Sequence, residues 1–280
     1  MASRSRGQCC VNTKKMKSIL LTGGASGIGA ATAKLAVERG HSVLIADINL
    51  KGAKSVASAI GSGASAIELD ITDPHQWERV LDEAWSRFNG LDVLVNNAAV
   101  VYAGNADKVP VADHQRTLDI NVMGPLRGML AALPRFRAQG AGHFVTICSM
   151  TAFLPYPGLA SYAASKHALR AFHHALALEQ RDTPLKFTIV HPSSTETPML
   201  EEEARRGLAL AFAAPSWTPA AVADIIFEAM EKHKIEVYIP HERGEVVRRV
   251  GTNPRALREM VIQGEVVGAE RLRARLGQKI

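Results

Sequence analysis

Short, continuously apolar stretches alternate along this chain with Ala-rich stretches of helical period. Residues 18–22 read as a short buried strand, residues 23–29 as a glycine turn and residues 30–39 as a helix. Residues 42–46 read as a second strand, and strand, glycine turn, helix and strand in that order make a nucleotide-binding βαβ unit. Further buried strands are expected at residues 65–70, 91–99 and 185–190, and Ser149 ends another that carries Cys148. Asn121 falls in a helical stretch, Tyr162 and Lys166 share a helix, and past His241 helical segments are expected at residues 254–263 and 269–276. A secretory signal is imitated by Met16, Lys17 and the small residues Ala30 to Ala33, but three glycines interrupt the apolar stretch and the βαβ pattern continues through it.

The turn carries the first candidate chemistry. Gly23, Gly27 and Gly29 permit positive φ and let a pyrophosphate approach the backbone, with Ser26 and Ile28 beside them and the free N–H groups of a helix start behind. Asp47 ends the second strand 18 residues past Gly29, where a carboxylate accepts hydrogen bonds from ribose hydroxyls and repels a 2′-phosphate. The turn holds no Lys or Arg, and Ile48 and Asn49 follow the acid, so NAD is expected as cofactor rather than NADP. By residue type Asp47 could equally cap the helix that begins near Leu50. Asp70 holds the corresponding place on the next strand, and Asn96-Asn97-Ala98-Ala99 ends the strand after it with small residues that leave room for an adenosine.

The second candidate is the pair Tyr162 and Lys166, four residues apart, with Ser149 thirteen residues upstream. Residues i and i+4 share a helix face, so the ammonium can lie under the phenol and favour its ionised form, letting a tyrosine of ordinary pKa ~10 exchange a proton near neutrality. Alone, such a pair is as often just a solvent-edged amphipathic face.

Taken together, Thr22 to Gly29, Asn96 to Ala99, Asn121 in Asn-Val-Met-Gly, Ser149, Tyr162 and Lys166 resemble the ordered motifs of the short-chain dehydrogenases/reductases, in their compact branch, over residues 17–240. The resemblance implies a Rossmann-type, doubly wound, mostly parallel sheet of about seven strands flanked by helices. It implies that Tyr162 is the acid/base, that Ser149 holds the substrate oxygen, that Lys166 lowers the tyrosine pKa and binds the nicotinamide ribose, and that Asn121 holds a water completing a proton relay. Thr197 matches a threonine that contacts the nicotinamide carboxamide. Ser193 departs from the pattern, standing where the family has a glycine, and a Cβ there is expected to restrict the turn. The implied assembly is a homotetramer or homodimer, with the helices holding Asn121 and Tyr162 at an interface.

Residues 198–217 match a helical lid over the substrate, and Met199, Leu200, Leu208, Leu210, Phe212 and Trp217 make it apolar. A largely apolar secondary alcohol or ketone is therefore expected, with Met150, Phe153, Leu154, Tyr156 and Tyr102 as further walls and Ser149, Tyr156 and Tyr162 as substrate-binding residues. Glu201 to Glu203 are expected in the first turn of the lid helix, favoured there by the dipole and without a substrate role. Other functions of the fold would be a redox-neutral, epimerase-type use of bound NAD, or a non-catalytic NAD sensor or scaffold.

Composition changes this picture little. At 280 residues, 47% hydrophobic, the chain suffices for one large domain, here residues 17–240 with a helical extension over 241–280, and its apolar runs stay short of the ~20 residues of a membrane span. The net charge of +6 is confined to the ends: residues 1–15 and 241–280 carry +4 each and the remainder −2, which argues against a nucleic-acid groove. The basic residues 1–16 are expected to be disordered, with Met16 a possible functional start. Three cysteines, Cys9, Cys10 and Cys148, give no disulfide framework and suit a cytoplasmic protein. The histidines lack a metal-ligand spacing, so no metal is expected.

Overall fold

The computed structural model describes residues 16–277, so the disorder expected for the basic N-terminal stretch lies, Met16 apart, outside the described residues. Seven strands form one parallel sheet: β1 (Ser18–Thr22), β2 (Ser42–Asp47), β3 (Ala64–Glu68), β4 (Val93–Asn96), β5 (His143–Ile147), β6 (Lys186–Pro192) and β7 (Glu236–Ile239), in the spatial order β3-β2-β1-β4-β5-β6-β7. Short apolar strands of this kind need cover on both faces. One face packs Leu20, Leu94 and Phe144 against Trp77, Met129 and Phe136 from α3 (Pro74–Phe88) and α5 (Gly124–Gln139), alongside α6 (Ala160–Glu179). The other packs Ile19, Ile45 and Val95 against Ala33, Ala57 and Phe227 from α1 (Gly27–Glu38), α2 (Leu50–Ile60) and α8 (Pro219–Glu231). This is the doubly wound sheet expected from the sequence, with every strand pair parallel.

The chain runs outward from β1 to β3 and then returns to place β4 on the other side of β1. At that reversal the connections leave on opposite faces and open a crevice beyond the carboxyl ends of the strands. The glycine turn, Asp47, Asn97 and Ser149 all lie at those ends. Helix α4 (Val111–Leu118) passes through one π turn, Asp119–Met123, into α5. After β6 come the lid, with α7 (Pro198–Arg205) and a 3₁₀ turn at Ala209–Phe212, and after β7 come α9 (Arg243–Gly251) and α10 (Pro254–Gly277).

Several boundaries differ from the sequence pattern: β3 ends at Glu68 and β4 at Asn96, so Asp70 and residues 97–99 stand just past the strands they were expected to end. Helix α1 starts at Gly27 rather than residue 30, because the last glycines of the turn already form its first turn. The two C-terminal segments form one helix, α10, since Gly264 and Gly268 are contact points rather than breaks: a Cβ on Gly268 would stand 1.9 Å from the Ala209 carbonyl oxygen, and one on Gly264 2.7 Å from Leu210. Leu272 is buried with Leu200, Ala204 and Phe212, and Arg275 grips Glu196 with two hydrogen bonds of 2.8 and 2.7 Å, so α10 is strapped across the lid. Among the described residues no helix is long and apolar enough to cross a membrane.

Candidate active site

The glycine turn is shaped by close contact. Gly23 has φ +70°, and a Cβ there would lie 2.6 Å from the Ala98 Cα; one on Gly29 would lie 2.2 Å from the Gly23 carbonyl. Asn97 ties the end of β4 to the turn, its amide donating to the carbonyls of Thr22 (3.0 Å) and Gly23 (2.9 Å). The Thr22 hydroxyl accepts from the N–H groups of Asn97 and Ala98 at 3.1 and 3.2 Å. Helix α1 starts without a side-chain cap from Ser26, which leaves its first N–H groups to a ligand.

Asp47 is fixed at the tip of β2, its Oδ2 accepting from the Ala25 N–H and its Oδ1 from the Asn49 N–H, both at 2.9 Å. The cap of α2 is Asn49, which accepts from the Gly52 N–H, so Asp47 is free of that duty. Asp70 accepts from the N–H and hydroxyl of Thr72 at 2.9 and 2.7 Å.

Ser149 follows β5, Tyr162 and Lys166 lie one turn apart on α6, and Asn121 sits in the π turn. The Ser149 hydroxyl lies beside the Tyr162 phenol and accepts from the Thr151 N–H at 3.1 Å. The Lys166 ammonium stands 5.5 Å from the centroid of the Tyr162 ring, as the spacing predicts. It is buried and spends one donor on the Ile147 carbonyl at 3.2 Å, leaving two for a ligand.

The electrostatics run against the sequence expectation of a lowered tyrosine pKa. Burial pushes the Tyr162 phenol well above its ordinary value, the charges of Glu203 and Cys148 add to this, and only the neighbouring Ser149 hydroxyl opposes it. Burial also lowers the Lys166 ammonium, with Cys148 opposing. Asn121 is fully buried, its amide donating to the Val100 carbonyl (2.9 Å) and the Ser165 hydroxyl (3.2 Å) while its Oδ1 accepts from the Val100 N–H (2.8 Å). Both amide hydrogens are thereby taken, so a water held by Asn121 would have to sit on a carbonyl oxygen.

A cavity of about 610 Å³ joins these parts, running from Gly23, Ser26, Gly27 and Ile28 past Asp47, Asp70, Asn97 and Ala98 to Ser149, Tyr162 and Lys166 under the lid. Its length and its uncapped helix start fit a dinucleotide, with the free donors of Lys166 placed for ribose hydroxyls. Thr197 caps α7 by accepting from the Leu200 N–H, its hydroxyl donates to the Thr195 carbonyl at 3.1 Å, and its methyl group packs against Gly27, where a Cβ would lie 3.0 Å from it. Ser193 does not adopt positive φ, so its Cβ brings no strain; its N–H donates to the Ile239 carbonyl at 2.9 Å and its buried hydroxyl has no partner among the described residues.

Of the expected walls, Tyr102, Met150, Tyr156, Met199, Leu200 and Leu210 line the cavity. Phe153 and Leu154 do not: the 3₁₀ turn after Ser149 rotates them into a separate core with Tyr238, Val247 and Val250. Phe212 packs on Leu272, and Trp217 on the core beneath α8.

Three functional candidates were missed. Glu203, expected to be an idle acid, is 8% exposed, lines the cavity without a hydrogen-bond partner among the described residues, and burial raises its carboxyl to about 7. The signal was available, since Leu200, Glu203 and Ala204 follow the i, i+3, i+4 spacing of a buried face. Arg243 reaches the cavity from α9, which no sequence pattern announces. His191, expected to be an ordinary strand-end residue, joins the Ser149 carbonyl (3.0 Å) to Glu236 (2.9 Å), and Arg170, His174 and Tyr238 converge on the same carboxylate. Burial opposes its charge, yet Cys148 and Glu236 raise its pKa to about 9. Among the described residues no group of His, Cys, Asp and Glu could hold a metal ion.

The model of the short chain dehydrogenase family matches residues 17–207. A 3-alpha-(or 20-beta)-hydroxysteroid dehydrogenase of Mycobacterium tuberculosis is 32% identical over 185 residues, 66% of this chain and 71% of the relative. A 2,5-dichloro-2,5-cyclohexadiene-1,4-diol dehydrogenase of Sphingobium indicum is 35% identical over 186 residues, 65% of this chain and 74% of the relative. Among solved structures, the 3-ketoacyl-(acyl-carrier-protein) reductase from Brucella melitensis complexed with NADH is similar with a TM-score of 0.73 at 27% identity, over 79% of this chain and 96% of that one.

Proposed function

Because this chain belongs to the short-chain dehydrogenases, we propose that it passes a hydride between NAD(H) and a largely apolar secondary alcohol or ketone, with Tyr162 as acid and base. The observation that carries this is the meeting of Ser149, Tyr162 and Lys166 at one end of a cavity whose other end is the glycine turn and Asp47. The nicotinamide ring, when bound, takes or gives the hydride at its C4. Ser149 holds the substrate oxygen against the phenol, which takes the carbinol proton in oxidation or gives its own to the carbonyl oxygen in reduction. Lys166 supplies charge beneath the ring and donors for ribose hydroxyls. Asn97 holds the glycine turn to β4, and Asn121 holds residue 100 and Ser165 around the helix that carries Tyr162.

Asp47 supports NAD over NADP. The cations lining the cavity are Lys166 and Arg243, neither of them beside β2, so a 2′-phosphate would face an uncompensated carboxylate. Association through α4, α5 and α6 is supported by the exposed Leu118, Met123, Leu130 and Leu178, and a cytoplasmic location by the free thiol of Cys148.

Tyr162→Phe is expected to lower turnover by about 10²- to 10⁴-fold while cofactor binding, followed by NADH fluorescence, stays within a few-fold. Substantial retained activity would refute Tyr162 as the proton carrier. In parallel titrations NAD should bind more tightly than NADP; the reverse order would remove the role given to Asp47.

A further inference from the structure

The cavity holds two cations with different surroundings. Lys166 lies beneath the Tyr162 ring and donates to Ile147. Arg243, at the start of α9, lines the same cavity with its guanidinium in no hydrogen bond or salt bridge among the described residues. Its position is fixed from behind, because Gly244 packs so closely on Tyr238 that a Cβ would lie 2.6 Å from the ring. Tyr156 stands within reach of its charge: burial raises the phenol and Arg243 opposes that rise. Among the described residues the Tyr156 hydroxyl also makes no hydrogen bond, whereas the Tyr238 hydroxyl is taken by Glu236 at 2.8 Å. A guanidinium and a neutral phenol, both unpartnered and facing one cavity, offer the donors that a carboxylate accepts.

The acids of the cavity do not supply that carboxylate. Asp47 and Asp70 are held by backbone N–H groups, and Glu202 pairs with Arg205 (2.6 Å) and Arg206 (2.9 Å). The charge of Arg243 is felt at Tyr156 and that of Glu203 at Tyr162. Arg243 is no candidate for a cofactor 2′-phosphate, because that group would sit beside Asp47 on β2, while Arg243 follows β7 at the far side of the sheet order. The residue also lies beyond the segment, 17–207, that the family model matches.

We propose that Arg243 and Tyr156 bind a carboxylate on the substrate, so that the site takes a hydroxy or oxo acid whose carboxylate is separated from its carbinol by an apolar ring or chain. The proposal rests on the dehydrogenase reading, with Tyr162 receiving the carbinol. The Arg243 guanidinium pairs with the carboxylate, the Tyr156 hydroxyl donates to its second oxygen, and Leu210, Met199 and Met150 enclose the apolar middle.

The test compares 4-hydroxycyclohexanecarboxylate with its methyl ester, following NADH formation, in the wild-type protein, Arg243→Met, Arg243→Lys and Tyr156→Phe. Wild type is expected to prefer the acid in kcat/KM by about 10- to 100-fold, the range of a charge-assisted hydrogen-bonded pair. That ratio should collapse in Arg243→Met through KM, recover in part in Arg243→Lys, and fall several-fold in Tyr156→Phe. An acid-to-ester ratio near one in wild type, or one that Arg243→Met leaves in place, overturns the carboxylate site while leaving the dehydrogenase reading intact. Calorimetric binding of cyclohexanecarboxylate to the NADH-saturated protein provides the second readout. Arg243-dependent binding without turnover of either compound upholds the carboxylate site against the dehydrogenase reading, and no binding together with no turnover overturns it.

Discussion

Glu203 shows how much one side chain can set at this site. An ordinary glutamate ionises near 4.5, but burial raises this carboxyl to about 7 in the folded chain, where it is 8% exposed. Folding therefore favours its neutral form. The unfolded chain loses the proton near 4.5 and the folded chain near 7, so stability is intact below 4.5 and declines as the pH rises through 7. The shift corresponds to roughly 3 kcal/mol at full effect. Glu203→Gln should unfold like the wild type at pH 4.5 and be more stable by about 3 kcal/mol at pH 8 in urea titrations; equal midpoints at pH 8 would contradict the buried acid. The same substitution removes a negative charge that raises Tyr162, so the acidic limb of kcat/KM for alcohol oxidation should move to lower pH. Residues of this scale were legible where their relation is local. Tyr162 and Lys166 are one helical turn apart, and Asp47 ends a strand that its own apolar run predicts. Arg243 was not, because only the turn after β7 brings it to the cavity. The Tyr162 pKa was misjudged for a related reason: spacing revealed the neighbouring ammonium but not the depth of burial, nor an acid 41 residues later in the chain.

At the scale of elements, α10 and the lid are the pair that the sequence concealed. Two glycines inside a helical pattern read as a break, whereas Gly264, Gly268, Leu272 and Arg275 form one face of a continuous helix, with the glycines admitting the lid backbone. The strand–turn–helix of β1 and α1 was readable because its glycines and apolar run are contiguous. Phe153 and Leu154 were misassigned because an apolar residue near a site can face the cavity or the core behind it, and the short 3₁₀ turn after Ser149 decides. Contact with the lid gives α10 a function to test. A side chain at residue 268 would enter the Ala209 carbonyl, so Gly268→Leu must lift the helix from the lid. Hydrogen exchange over residues 199–213 should then accelerate, and KM should rise more than kcat, since the lid shapes the substrate end of the cavity while Tyr162 stays on α6. Unchanged exchange in that segment would show that the lid keeps its order without α10.

For the whole molecule, the question is what covers the helices that carry the site. The doubly wound sheet followed from the motifs, but no motif specifies a surface. Leu118, Met123, Leu130 and Leu178 are 43%, 40%, 50% and 66% exposed on α4, the π turn, α5 and α6, helices that pack beside one another. A second exposed apolar set, Ile262, Val266 and Val267, lies on α10. The proposed association uses the first set, and the physical reason is continuity: Asn121 sits in the π turn and Tyr162 on α6, so burying that face in a partner would hold both against the cavity. Light scattering should give a multiple of the 30.1 kDa chain mass for the wild type. Leu130→Glu combined with Leu178→Glu should return it to a single chain, because two charges forced into an apolar contact cost several kcal/mol, and kcat should fall as the π turn loosens. Val266→Glu should leave the mass unchanged. If the α10 substitution dissociates the protein and the pair on α5 and α6 does not, the subunits meet through the C-terminal helix, and the order of the active site owes nothing to assembly across α4, α5 and α6.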